Sequence, residues 1–108
     1  MASTYKVLGQ ANPTATTLTD CYTVPGATQT VVSSIVVANR GAATTFRISV
    51  AVAGAGDDLS QYVAYDTVIA DNDIVDFTMG VTLGAADVIR VYAGAARLSF
   101  NIFGEEIT

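Results

Sequence analysis

The chain has no histidine and no tryptophan, a single cysteine, two prolines and only five cations among its 108 residues. Each scarcity narrows what the protein does. Acid–base catalysis draws most often on histidine, and zinc centres draw on cysteine and histidine; this chain has neither set. Cys21 has no partner in its own sequence, so an intrachain disulfide is excluded. The cations Lys6, Arg40, Arg47, Arg90 and Arg97 are scattered and face ten acids, for a net charge of −5. Gripping phosphates needs clustered positive charge, so no nucleic-acid partner is expected, and an anionic membrane surface is disfavoured for the same reason. No apolar run approaches the roughly 20 residues that span a bilayer as a helix. Residues 1–6 lack the apolar stretch of a secretory leader, and none is expected.

What is present is alternation. Phe46, Ile48, Val50 and Val52 fall on one face of an extended segment, and Leu98, Phe100 and Ile102 do so in another. A period of two marks strands with one buried face. Apolar residues make up 51% of the chain and charged ones 14%, which excludes a disordered polymer and leaves a weakly charged surface suited to burial against neighbours. Strands are expected at 5–10, 17–24, 30–37, 44–53, 62–69, 74–79, 80–83, 87–93 and 97–103, with one helical turn at 59–61. The segment 30–37 reads as apolar on both faces, as in a central or partner-covered strand. Asn39-Arg40-Gly41 and Gly94-Ala95-Ala96 read as hairpin turns. The expected fold is all-β: one domain over 1–108, an antiparallel β-sandwich of about eight short strands, jelly-roll or Ig-like, without a long helix.

No catalytic, cofactor or metal site emerges. Asp57-Asp58 diverge in an extended chain. Asp71-Asn72-Asp73 with Asp76 supplies oxygen ligands but lacks the glycine and distal glutamate of a calcium loop and reads as turn chemistry. Gly54-Ala55-Gly56 lacks the third glycine and helix of a dinucleotide fingerprint, and no serine sits in a Gly-x-Ser-x-Gly elbow. The candidates are instead subunit-interface residues: Arg90 and Tyr92 on one strand face, Arg97 and Phe103 opposite Leu98, Phe100 and Ile102, and Cys21 as a core residue or the site of an interchain bond. Arginine and aromatics are enriched at interfaces; cross-strand pairing on a solvated sheet is the plainer alternative. The five tyrosines read as dispersed, and the acidic tail 104–108 as free or meeting a neighbour's arginine.

The segments 22–41 (Tyr22-Thr23-Val24-Pro25-Gly26 through Val37-Ala38-Asn39-Arg40-Gly41), Tyr62-Val63-Ala64-Tyr65-Asp66 and Leu98-Ser99-Phe100-Asn101-Ile102-Phe103-Gly104, with the glycine-rich block Gly80-Val81-Thr82-Leu83-Gly84, resemble a family of small virion structural proteins of tailed phages, cyanophages among them. The resemblance runs over almost the whole chain. It implies a homo-oligomer, commonly a trimer, that acts as a cement or decoration protein bridging major capsid subunits. It also implies synthesis in the host cytoplasm and residence in the virion, on the capsid exterior or the tail. Similar sandwiches in tail fibres make host-surface recognition the alternative. The family carries no catalytic residues, and Cys21 stands where an aliphatic residue is expected in relatives.

Overall fold

The computed structural model describes residues 2–108. They form nine strands: β1 Ser3–Ala11, β2 Thr19–Thr23, β3 Gln29–Asn39, β4 Thr44–Ala51, β5 Tyr62–Ile69, β6 Ile74–Phe77, β7 Val81–Leu83, β8 Val88–Ala93 and β9 Leu98–Ile107. The only helical pieces among them are 3₁₀ turns at Val52–Gly54 and Leu59–Gln61. One sheet runs β1-β9-β3-β6, with β7 also on β3; the other runs β2-β8-β4-β5. Every pairing is antiparallel; β1 with β9, β2 with β8, β3 with β6 and β7, and β4 with β5 are nested, and β3 with β9 and β4 with β8 join these pairs into the two sheets. A long hairpin rolled over on itself produces this order, so the sandwich is a jelly roll and not the Ig-like alternative.

The core lies between the sheets. Phe46, Ile48, Ile89 and Val91 from one sheet meet Ile35, Val37, Phe100 and Ile102 from the other, all at or near zero exposure. Phe46 stands edge-on to Phe77 and Phe100, its ring centroid 6.0 and 6.2 Å from theirs. The alternation read from Leu98, Phe100 and Ile102 holds, as does that of Phe46, Ile48 and Val50 against the core. Val52 breaks it: the strand ends at Ala51, and Val52 enters a 3₁₀ turn in solvent.

The two-faced reading of β3 is corrected. A bulge between Val32 and Ser34, opposite the Phe103–Gly104 step of β9, adds one residue to β3. Inward positions are therefore Thr30 and Val32 before the bulge and Ile35, Val37 and Asn39 after it. Each strict-alternation set is half inside and half outside, which mimics apolarity on both faces.

Both expected hairpins are also corrected. Asn39-Arg40-Gly41 leads from β3 in one sheet to β4 in the other, and Gly94-Ala95-Ala96 leads from β8 to β9 across the same gap. Turn residues allow a tight reversal without choosing which sheet receives the next strand. These corners are locked side by side. Asn39 Nδ2 donates to the carbonyls of Ala42 (2.9 Å) and Ala70 (3.0 Å), and Arg97 Nε donates to Ala42 O at 2.9 Å. The acidic tail is likewise not free: β9 continues to Ile107, held by β1 on one side and β3 on the other.

Candidate functional site

The outer face of the β2-β8-β4-β5 sheet carries a cluster that strict alternation conceals. β5 has a bulge opposite Arg47, where Phe46 pairs with Thr67 and Ile48 with Ala64. Asp66 adopts a positive φ of 50° there, a conformation aspartate tolerates better than most residues. Consecutive Tyr65 and Asp66 thus both reach Arg47. The guanidinium carbon lies 4.1 Å from the centroid of Tyr65 and 4.4 Å from that of Tyr92, and Nε donates to Asp66 Oδ1 at 2.7 Å. The hydrogen bond with Asp66 holds Arg47 charged, above its ordinary range, and Arg47 in turn lowers the Asp66 carboxyl. Tyr62 packs edge-on to Tyr65 at 5.0 Å and donates to Asp57 at 2.8 Å; burial first, and then this bond, raise its hydroxyl pKa. The tyrosines are therefore not all dispersed: Tyr65 and Tyr92 flank Arg47, and Tyr62 packs on Tyr65.

A second cation anchors the same face. Arg90 Nε donates to Asp20 at 3.0 Å, while Nη1 and Nη2 donate to the carbonyls of Ala55 (2.7 Å) and Gly54 (3.2 Å). These bonds draw the 52–61 connection across the sheet, which buries Ser49 and Ala51 although both point away from the core. Asp58 caps the turn at Leu59–Gln61; the Ser60 hydroxyl first, and then Ser60 N, donate to its carboxylate and lower its pKa.

The outer face of the β1-β9-β3-β6 sheet is different, because no loop crosses it in this way. Register places Tyr5, Glu105, Val31 and Thr82 in one row across four strands, Val7, Phe103 and Ser34 in the next, then Gln10, Asn101, Val36 and Asp76, then Ser99, Ala38 and Ile74. Tyr5 is 80% exposed and Ile74 63%, with Val7 and Val31 also open to solvent. Glu105 and Asp76 are the only charged residues in these rows. The inward side at the same end of the sheet is polar: Tyr22 Oη donates to Glu106 Oε2 at 2.7 Å and shares a 2.7 Å bond with Thr30, and Lys6 reaches Glu106 at 3.4 Å. Burial is the chief reason the Tyr22 hydroxyl is pushed up to about 12; the Thr30 bond works against it and Glu106 adds to it.

The five residues expected at an interface are not one patch. Arg90 and Tyr92 lie on the outer face of one sheet, Phe103 on the outer face of the other, and Arg97 at the corner, where it binds Ala42 and Ala43 carbonyls. Cys21 occupies a bulge on edge strand β2, between Asp20 opposite Arg90 and Tyr22 opposite Ile89, half-buried against the core. Burial pushes its thiol up to about 11, against an ordinary 9.0. The thiolate is the reactive form, so two pH units imply about a hundredfold less of it at pH 8. Alkylation by iodoacetamide at pH 8 is expected to be correspondingly slow and to recover in urea; labelling as fast as that of glutathione would contradict this placement.

The remaining motifs are occupied by the fold. Asp71 accepts from Ala43 N and Asp73 from Ile74 N, both as loop and turn bonds. Asp87 bridges Ala53 N and Gly84 N. No group of three or more metal-ligating side chains gathers among the described residues. Three surface clefts, one beside Gln10 and Asn101 and two flanking Gln29 and Gly84, carry no side-chain carboxylate, thiol or cation in their linings. No protein-family model, curated protein or solved structure matches the chain.

Proposed function

We propose that this protein is a structural component of a tailed-phage virion, an oligomeric decoration or cement protein that stabilises the head by docking rather than by chemistry. The observation that carries the reading is the outer face of the β1-β9-β3-β6 sheet, a broad surface without a covering loop on which Tyr5, Val7, Val31 and Ile74 stand exposed. Large exposed apolar side chains gathered on one face mark interaction sites. At roughly 25 cal/mol per Å² of apolar surface removed from water, a few hundred Å² supply several kcal/mol before the costs of ordering. Repetition over a symmetric shell multiplies the gain through avidity. The jelly-roll topology, shared by many capsid and lectin domains, and the phage-like segments point the same way.

Sedimentation velocity on the purified protein is expected to give a species heavier than the 11.2 kDa monomer, and the protein is expected to pellet with assembled heads. A persistent monomer that stays in the supernatant defeats the reading. The convergence of Tyr62, Tyr65 and Tyr92 favours a second one, recognition of host-surface glycans by a tail module, because aromatic rings pack against sugar rings. Glycan-array binding that disappears in Tyr65→Ala, from a protein absent from tail-less heads, would establish that alternative.

A further inference from the structure

The charges are not evenly satisfied. Lys6, Arg47 and Arg90 pair with Glu106, Asp66 and Asp20, Arg40 donates to Asn12 at 2.7 Å, and Arg97 binds carbonyls. Every lysine and arginine side chain among the described residues is thus engaged within the chain. Among the acids, Asp57, Asp58, Asp71, Asp73 and Asp87 each accept a hydrogen bond from the chain's own turns and loops. Among the described side-chain carboxylates, only Asp76 and Glu105 have neither a hydrogen bond nor an ion pair. Both project from the outer face of the β1-β9-β3-β6 sheet: Asp76 lies between core-packed Val75 and Phe77, opposite Val36, and Glu105 lies between Tyr5 and Val31.

From this arrangement we infer that the face is a docking surface for a different protein, one whose contact area combines apolar side chains with lysine or arginine. A second copy of this chain is the wrong occupant. Two such faces would bring unpaired carboxylates together, and each described cationic side chain already donates to a partner within its own copy. A basic, apolar partner gains on both counts, burying Tyr5, Val7, Val31, Val36 and Ile74 while its cations meet Glu105 and Asp76. This rests on the docking reading above and names the partner-facing side. Contacts between copies then fall to other surfaces, with the face of Arg47 and Tyr65 the remaining large one.

The test uses the intact chain and a defined probe, acetyl-Lys-Val-Lys-Val-Lys-Val-Lys-amide, with a glutamate-for-lysine counterpart as control. In a titration followed by amide chemical shifts, the lysine peptide is expected to perturb the rows around Tyr5, Val31, Val36, Asp76 and Glu105 saturably. The effect should weaken as salt rises from about 0.05 M to about 0.5 M. Asp76→Lys with Glu105→Lys should weaken the lysine peptide about tenfold or more and confer binding of the glutamate peptide at the same rows. The doubly substituted chain remains net negative, so net charge alone does not produce that switch. A retained native amide spectrum shows that the variant is folded. No saturable perturbation, perturbation centred on Arg47 or the 52–61 connection, or binding indifferent to the double substitution would each overturn the inference. The outcome is separable from the virion reading: a face that binds the lysine peptide on a protein that ignores heads retains the docking surface and removes the phage role. A protein that pellets with heads but lacks this response does the reverse.

Discussion

Replacing Phe46 by alanine is expected to remove about 3–5 kcal/mol of folding stability, the usual cost of deleting a buried aromatic ring. Phe46 has zero exposure and is the side chain through which β4 of one sheet touches Phe100 of β9 and Phe77 of β6 in the other. Edge-to-face pairs add to the area term, and the nested backbone pairing leaves neither sheet free to collapse into the void. A domain of this length holds about 5–15 kcal/mol in total, so the loss is a large share of it. Urea denaturation should show a midpoint reduced by about a fifth or more of its value with little change in slope. Phe100→Ala should match it, and Phe77→Ala, at the half-buried rim, should cost less. A loss below about 1 kcal/mol for Phe46→Ala would mean that the sheets do not meet at this ring.

Gly104→Ala is expected to destabilise by about 1–3 kcal/mol or more, the range for overfilling a packed site. Gly104 is buried in β9 between β1 and β3, and both neighbours are bulged beside it: Leu8 is the extra residue on β1 and Ser33 on β3. An added methyl would run into the Val31 carbonyl oxygen, with Val32 Cα at 3.0 Å and Leu8 Cδ1 at 2.9 Å. Two of these obstacles are backbone, so relief requires the strand to move. Gly9 poses the same problem against the Cys21 carbonyl, where β1 closes over β2. Gly26, with nothing within 4 Å of its added methyl, supplies the contrast. Gly26→Ala should be neutral or stabilising by about 0.4–1 kcal/mol through the unfolded state. Equal responses of the two variants to thermal and urea denaturation would refute the close approach at Gly104.

Much of the fold was legible because its strands obey one rule at a time. β5 appears at the expected bounds, the turn at 59–61 is present, and Leu98, Phe100 and Ile102 are fully buried. The failures share a cause. Bulges at Ser33, Leu8, Cys21 and the Tyr65–Asp66 step change the phase of alternation, and a bulge is defined by the partner strand, which local sequence does not reveal. For that reason β3 reads as two-faced, and strict alternation over 62–69 sets Tyr65 and Asp66 on opposite faces when both meet Arg47. Arg90 and Tyr92 do share a face. Their connection to the 52–61 segment and to Arg47 depends on residues 35 to 45 positions away. Asp76 was legible only as a possible oxygen ligand and Glu105 only as part of an acidic tail, since a carboxylate without a partner is recognisable only once the other charges have found theirs.

By itself, the order of residues determined the chemistry available and the pleated character of the chain. Side-chain types and a two-residue period are local properties, set by composition and by the geometry of extended backbone. The tertiary structure alone decided which sheet each strand joins, where the corners cross and which face stays open. Those outcomes depend on hydrogen bonds between residues as much as 106 positions apart, such as Ala2 with Thr108, whose free energy exists only when the whole roll has closed.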